Sequence, residues 1–537
     1  MNDILIKNAQ IIDGTGAPAF KADMAVKDGK IVFIGKVDGG KIDASSTETF
    51  DADGLAVAPG FIDAHGHSDL FAFADPARAS KLCQGITTEI AGQCGLGPAP
   101  VSETFYNVYE AAFKSLGAPV NPKCRDFKTF GAFMSYTEKM PLGINLAYFI
   151  PHGAVRVAVM GMSAEKPSAE QMIAMQNYIR EGMEAGALGL SSGLMYAPGI
   201  FSDEEEMIEL CKTVSEYGGI YTTHLRDQGN RVEESVAETI RAAKSAGVRA
   251  NVSHNKASGK NNWGKSASTI KMIHDAQTDI QIMHDAYPYT ASSTVLISTL
   301  PHYLLRIPHQ EIIAYLNNRE NRSALMDAVY NPAPDFESAL YDCGCEGILI
   351  TTVPVTKDAE GKTIKQYAEE KNIDQFDAYI KLLTDNNLSG GYIGFTMSQK
   401  DVDAFITDPL CMIGTDSLYV QGIPVTHPRA IGTFPRVIAK YVNQLKLLTL
   451  EEAVRKMTSL PAEFYSLPGK GILREGMDAD IVIFDPVKIT DRADFEQPLL
   501  PNEGIRRVIV GGKTAVADDK ALNVLNGGTL RPSLKRK

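Results

Sequence analysis

The chain has 537 residues, of which 44% are hydrophobic, 22% charged and 8% aromatic, the balance of a folded globular protein rather than a disordered one. Lysine and arginine number 53 against 65 aspartates and glutamates, a formal charge of -12, which argues against general attraction to nucleic acid or anionic lipid. At roughly 150 residues per domain the length asks for three or four units, or for one large barrel with a small partner.

The opening run MNDILIKNAQIIDGTG lacks the basic-then-apolar pattern of a secretory signal and reads as a strand followed by a turn. Short β-rich runs and turns continue through MAVKDGKIVFIG and GLAVAPG to residue 58. From there apolar strand-like runs alternate with helix-like ones. GFIDAHGH precedes ADPARASKLCQG; then come ITTEIAG, the stretch around Leu142, Asn145 and Leu146, and GALGLSSG. The amphipathic DEEEMIELCKTVSEYG precedes GIYTTHL, VEESVAETIRAAKSAG precedes VRANVSH, and a further helix precedes DIQIMHDAYPY. This rhythm predicts a parallel sheet covered by helices. Closure into a barrel is favoured because polar residues end at least six of the runs, where a barrel gathers its chemistry.

Residues 300–390 break the rhythm with LRIPHQEIIAYLNNRENRSALMDAVY and KDAEGKTIKQYAEEKNIDQFDAYIKLL, read as a helical insertion or elaborated loops over the barrel mouth. The helical stretch LTLEEAVRKMTSLPAEFYSL ends at a Pro-Gly pair, after which β-rich runs return in ADIVIFDP and IRRVIVGGKTAV. The expected division is a small β domain from residues 1–58 and 475–537, and a barrel over 59–474. No apolar run reaches about 18 residues, so no membrane span is expected. Seven cysteines, an odd number in a long chain, argue against a disulfide scaffold and for a reducing compartment, with cytoplasm the expected location. HNKASGKNNWGKS lacks the spacing of a phosphate-binding loop despite its GK pairs, and its Trp263 reads as a loop anchor.

A metal centre is the main chemical signal. His65 and His67 follow the apolar run GFIDA two apart, so on a continuing strand both imidazoles would point to one side. Alone, the pair reads equally as satisfied polar histidines. His224 ends GIYTTH, His254 ends ANVSH, and Cys94 ends ITTEIAGQC. Of ten histidines, four finish apolar runs in the middle of the chain, where a barrel mouth would gather them. Cys94 is a candidate soft ligand, although in isolation a small buried hydrophobe is the commoner role. Asp416, in GTD after PLCMIG, can bind metal and move a proton, or cap a helix.

The motifs PGFIDAHGHSD, AGQCG, SSGLMYAPG, TTHLRDQG, SHNKASGKNNWGKS, DAYPYTASSTVL, GTDS and HPRAIGTFPRV, in this order, resemble the metal-dependent amidohydrolases and, within them, the D-aminoacylase or N-acyl-D-amino-acid deacylase family. The resemblance implies an α/β fold, a distorted (β/α)8 TIM barrel with a small β domain formed by both chain termini. It implies one tight Zn2+ held by Cys94, His224 and His254, with His65, His67 and Asp416 around the same place and room for a second, weaker metal bridged by Cys94. Many members of the superfamily use a carboxylated lysine as bridge; here the family pattern puts cysteine there. Asp416 would take the proton of the metal-bound water and pass it to the departing nitrogen. Lys256, Tyr287 and Ser293 match family positions that clamp the substrate carboxylate.

Three departures stand out: Asn255 after His254, Ser417 after Asp416, and Asp227-Gln228 where relatives carry Asn-Glu or Ser-Glu. His427, Arg429 and Arg436 of HPRAIGTFPRV lie beyond the catalytic strand; the arginines reach an anion or simply pair with surface carboxylates, and no side-chain pocket is assigned to them. The leading reading is zinc-dependent hydrolysis of N-acyl-D-amino acids, with a small-molecule acylated amino acid as the expected partner, neither nucleic acid nor membrane, and the oligomeric state left open. The alternatives are a hydrolase of another amide, such as a dipeptide or cyclic amide, and a non-catalytic binding protein on the same barrel.

Overall fold

The structure, a computed structural model, describes residues 1–37, 45–71, 74–107, 110, 122–419 and 422–536. Strands Asn2–Ile11, Phe20–Lys27, Lys30–Gly35, Ser46–Asp51 and Ala56–Pro59 join Ile481–Phe484, Ile505–Val510, Lys513–Ala517 and Lys520–Ala521 in one nine-stranded sheet. The two ends of the chain meet where Ala56–Pro59 pairs antiparallel with Ile481–Phe484. Alternation sorts the two faces of this sheet. Ile481 and Ile483 join Ile4, Ile6, Met24 and Val26 in a core of the sheet's own, while Val482 and Phe484 pack into the main core with Phe61 and Ile86. Each such buried aliphatic side chain contributes about 2 kcal/mol relative to exposure.

Between these ends eight parallel strands make a ring, numbered here in chain order. They are β1 (Phe61–Asp63), β2 (Ile86–Ala91), β3 (Asn145–Tyr148), β4 (Gly189–Gly193), β5 (Ile220–His224), β6 (Arg249–Val252), β7 (Ile282–Ala286) and β8 (Cys411–Ile413). β1, β2 and β3 pair in order, as do β4 through β8. The two gaps are closed where Leu188 N–H donates to Tyr148 C=O at 2.9 Å and the short strand Ile150–Pro151 pairs parallel with β4, and where Ala64 N–H donates to Ile413 C=O at 3.0 Å. The ring interior is filled by Ile62, Ile90, Ala147, Leu188, Ile220, Met283 and Met412, as a closed barrel of this strand number requires.

Covering helices begin and end where the local chemistry dictates. Ser168 and Gln171 form a reciprocal capping box ahead of Ala169–Glu184, and the Asp203 side chain accepts from Glu206 N–H ahead of Glu204–Glu216. Gly247, in the left-handed conformation, stops Val232–Ala246. ADPARASKLCQG is less helical than its composition suggests, with only Ala79–Leu82 forming a turn of helix. Among the described residues no helix is long and apolar enough to cross a membrane.

The segment read as a helical insertion also carries a sheet. Helices His309–Asn317, Arg322–Tyr330, Ile364–Lys371 and Gln375–Asp385 surround three antiparallel strands, Ser292–Val295, Gly391–Gly394 and Ile348–Thr352, with Gly391–Gly394 in the middle. A separate apolar core of Leu296, Leu300, Ile312, Ile350, Tyr379 and Leu382 holds it. Strands of four or five residues are too short for alternation to announce them.

Below the barrel mouth lies a fully buried charge network. Lys81 Nζ is 2.5 Å from Asp63 Oδ2 and 3.0 Å from Glu89 Oε2, and donates to Thr415 Oγ1 at 2.7 Å. Glu89 accepts from the Ser68 backbone N–H and hydroxyl at 2.8 and 2.7 Å, and Asp63 accepts from Thr415 N–H at 2.8 Å. One ammonium therefore ties the turn after β1 to the turn after β8. Gly66 is obligatory there, because a Cβ would stand 2.2 Å from Glu89 Oε1. Lys81→Met leaves two buried carboxylates uncompensated and is expected to cost about 3–5 kcal/mol, read by urea denaturation at neutral pH; a change below about 1 kcal/mol would contradict this account of the network.

Candidate metal centre

Each candidate ligand leaves the carboxyl end of a barrel strand. His65 and His67 lie in the turn after β1 and not on a continuing strand, which ends at Asp63. Cys94 follows β2, His224 ends β5, His254 follows β6 and Asp416 follows β8. Cys94, His254 and Asp416 have φ of 56°, 32° and 49°, left-handed values that non-glycine residues rarely adopt and that cost of order 1–3 kcal/mol. The surroundings enforce them: His254 N–H donates to Asp285 Oδ1 at 2.8 Å, and Asp416 N–H donates to His65 C=O at 2.8 Å. The chain is strained at the three points where it turns a side chain into the mouth.

The structure brings all six predicted ligands together, every one buried. One potential ligand atom each from His65, His67, Cys94 and Asp416 lies within 4.8 Å of the others, as does one each from Cys94, His224 and His254. Cys94 Sγ belongs to both groups, 3.4 Å from His65 Nε2, 3.8 Å from His224 Nδ1 and 3.3 Å from His254 Nε2. Asp416 Oδ1 lies 3.2 Å from His67 Nε2 and 3.6 Å from His65 Nε2. His224 Nε2 and His67 Nδ1 are buried without a hydrogen-bond partner among the described residues.

Electrostatics make the cluster ligand-like. Burial opposes ionisation of the Cys94 thiol, yet His65 and His254 beside it hold it well below the usual thiol range. Burial likewise opposes the Asp416 carboxylate, but Arg429 and His254 keep it well below the usual carboxylate range. Burial and the neighbouring His254 push His224 down to about 3, so it is neutral with a lone pair to offer. His67 moves the other way, to about 9, because hydrogen bonds to Asp416 and Cys94 outweigh its burial. A thiolate, a carboxylate and several imidazoles sharing so small a buried volume fit a borderline-soft divalent cation such as zinc, which replaces the imidazole protons.

Around the ligands stands a layer that positions them. His65 Nδ1 faces Asp285 Oδ1 at 3.2 Å, and Asp285 also accepts from the Asn251 amide at 2.7 Å. His254 Nδ1 faces Lys256 Nζ at 2.9 Å and the Gln228 side-chain amide at 3.2 Å. Arg429 Nη1 pairs with Asp416 Oδ2 at 2.8 Å, with the arginine buried. Tyr196 stacks edge-on to His224 at 4.8 Å and its hydroxyl meets Thr294 Oγ1 at 2.9 Å.

Lys256 is buried, with Nζ donating to Gln228 Oε1 at 2.8 Å. Tyr287 is also buried, carries Arg429 over its ring at 4.6 Å, and has a hydroxyl with no well-aligned hydrogen bond. Ser293 lies on an insertion strand, where its C=O accepts from Arg429 Nη2 at 3.2 Å. Trp263 is tied to Thr396 C=O at 2.9 Å. Arg436 pairs with Asp491 at 2.7 Å, whereas Arg429 belongs to the centre. Residue patterns gave Asp285 no role and left Arg429 between an anion-binding and a surface arginine, neither of them a partner of Asp416. The signal for Asp285 was its place at the end of an apolar run; Arg429 offered only its nearness to Asp416 in sequence.

The cluster opens into a cavity of about 640 Å³ whose lining includes His67, Cys94, His224, His254, Lys256 and Asp416. Ser293 and Glu337 also line it. Burial and the neighbouring Asp227 push the Glu337 carboxyl up to about 7.

Comparison with known proteins agrees with this architecture. The family profile described as the amidohydrolase family matches residues 48–516. An N-acyl-D-aspartate deacylase of Alcaligenes xylosoxydans xylosoxydans is 32% identical over 95% of this chain and 91% of its own length. A D-aminoacylase of the same organism is 32% identical over 95% and 93%. A crystal structure of D-aminoacylase superposes with a TM-score of 0.82 at 29% identity, covering 99% of this chain and 100% of that one. An N-acyl-D-glutamate deacylase from Bordetella bronchiseptica, solved with zinc and a phosphonate mimic of the tetrahedral intermediate, superposes with a TM-score of 0.81 at 31% identity, covering 99% of each chain. Hydantoinases, at 15–18% identity and TM-scores of 0.54–0.55, share the fold. The chain belongs to the amidohydrolase family, as an enzyme built on a (β/α)8 barrel with an appended β sheet.

Proposed function

We propose that this chain hydrolyses the amide bond of N-acyl-D-amino acids, releasing a carboxylate and the free D-amino acid. In this reading Cys94, His224 and His254 would hold a tight Zn2+, and His65, His67 and Asp416, with Cys94 shared between the two groups, would hold a second, weaker metal. The observation that carries it is the convergence of six buried ligand side chains in one cluster, five of which line a cavity together with a buried lysine. The relatives support the substrate class: at 32% identity each they act on N-acyl-D-aspartate, N-acyl-D-glutamate and D-aminoacylase substrates, a spread that supports the shared D-acyl scaffold over any one side chain.

Zinc bound there supplies a polarised carbonyl and a water acidic enough to ionise near neutrality. Asp416 divides its labour between two oxygens. Oδ2 is held by Arg429 at 2.8 Å, which fixes the carboxylate plane and leaves Oδ1, on the imidazole side, to accept the water proton and return it to the departing nitrogen. Asp285 orients His65 and, through the His254 N–H, the turn that aims His254. Lys256, the Tyr287 hydroxyl and the Ser293 side chain bind the substrate α-carboxylate; burial lowers Lys256 to about 8, so it is still mostly protonated at pH 7.

The same reading treats residues 1–58 with 475–537 as a small β domain carrying the barrel of 59–474, supported by the single sheet that both ends share. A cytoplasmic location fits the odd number of cysteines, and the charge of -12 fits a small-molecule partner better than a nucleic acid.

The zinc-loaded enzyme is expected to release amine from members of an N-acetyl-D-amino acid panel, not from the L series, and to lose that activity on chelation. Bound zinc with turnover of dipeptides or cyclic amides alone would redirect the assignment. Asp416→Asn is expected to lower kcat by about 10²–10⁴-fold, with binding of a competitive D-amino acid product largely retained by calorimetry. Asp285→Asn is expected to weaken zinc affinity by about 10–100-fold in a competitive chelator titration; an unchanged affinity would remove Asp285 from the ligand-orienting role.

A further inference from the structure

We propose that the cavity beyond the metal cluster binds a medium-chain aliphatic acyl group, so that the preferred substrate carries an acyl chain well beyond acetyl; this rests on the amide-hydrolase reading above. The same cavity of about 640 Å³ that contains the cluster is walled by Val157, Met162, Met195, Leu305, Ile307 and Ile312. Cavities of about 300–1,000 Å³ hold drug-sized ligands, and an N-acetyl amino acid is several-fold smaller than that.

The barrel gives this wall a direction. Lys256 follows β6, Tyr287 follows β7 and Arg429 lies beyond β8. Val157 sits on helix His152–Met160 after β3, Met162 just beyond it, and Met195 follows β4. In a ring of eight strands β3 stands across from β7, and β4 across from β8. An N-acyl amino acid has its carboxylate and its acyl tail on opposite sides of the amide. With the carboxylate held on the β6–β8 side and the amide at the cluster, the tail is sent toward the β3–β4 side, under the insertion residues 305–312.

The wall's chemistry suits such a tail. Met162 is 37% exposed and Val157, Met195, Leu305 and Ile307 are only half-buried; Leu305 and Ile307 pack one side against the insertion's core and line the cavity as well, so apolar surface is left facing it. Methionines adapt to chains of differing length. Outside the ligand cluster the charged lining residues are Lys256, Glu337 and Arg306, and Arg306 lies over the Phe201 ring at 5.3 Å.

Each methylene buried against such a wall is worth roughly a fourfold gain. The test is a chain-length series, N-acetyl, N-hexanoyl and N-octanoyl derivatives of D-methionine, assayed with the zinc-loaded enzyme below their micellar concentrations. kcat/KM is expected to rise at least about tenfold from acetyl to hexanoyl. Met162→Glu and Leu305→Glu, at partly exposed positions, are expected to lower the hexanoyl-to-acetyl ratio at least about threefold. Acetyl turnover equal to or faster than hexanoyl turnover, or a ratio unmoved in both variants, would overturn the acyl-chain inference and leave the deacylase reading standing. Turnover of no member of the series, made also on D-aspartate and D-glutamate, would overturn the deacylase reading, and this inference with it.

Discussion

The structure depends on the cost of burying a thiolate and a carboxylate side by side at the mouth of a barrel. Cys94 and Asp416 are both buried and both held in their ionised forms. Negative charge in so dry a place must be matched by positive charge within a few ångströms. Arg429 supplies one match at 2.8 Å; Asp285 and Cys94 raise His65 against its burial, Asp416 and Cys94 raise His67, and both imidazoles so add positive charge beside the pair. A divalent metal meets the same requirement with better geometry and frees those imidazoles as ligands. The centre is thus a charge balance whose donor set suits a divalent metal.

Supporting such a balance demands rigidity that loops alone do not have. Two of the strained turns at Cys94, His254 and Asp416 are held by hydrogen bonds: Asp285, on β7, grips the His254 turn, and the His65 carbonyl, just past β1, grips the Asp416 turn. One layer below, Lys81 joins the roots of β1, β2 and β8 through Asp63, Glu89 and Thr415. The β sheet built from both ends of the chain packs Val482 and Phe484 into the main core with Phe61 and Ile86, at the starts of β1 and β2. Local strain at the centre is therefore balanced by packing and ion pairing in the scaffold.

Much of this was legible in the residues. Each metal-ligand candidate sits at the end of an apolar run, and a barrel converts that pattern into a cluster. The ligands of His65, His67, Cys94, His224, His254 and Asp416 type could be picked out one by one, though only their joint placement favoured chemistry. What stayed hidden were choices of partner. Arg429 looked like either an anion-binding or a surface arginine, and only the fold reveals that it pairs with Asp416. Lys81 lies in a run that reads as a surface helix, yet it is fully buried among carboxylates. The insertion's sheet was invisible because its strands are too short for alternation to register. Ion-pair partners and short strands are set by tertiary packing, which local pattern does not carry.

X-ray absorption at the zinc edge tests the central claim most directly, because it asks whether the buried thiolate is the group that the metal and the charge balance share. The account predicts a sulfur scatterer at about 2.3 Å from zinc, accompanied by imidazole scattering and lost in Cys94→Ser. A zinc shell of nitrogen and oxygen alone in the unaltered protein, unchanged by that substitution, would contradict it.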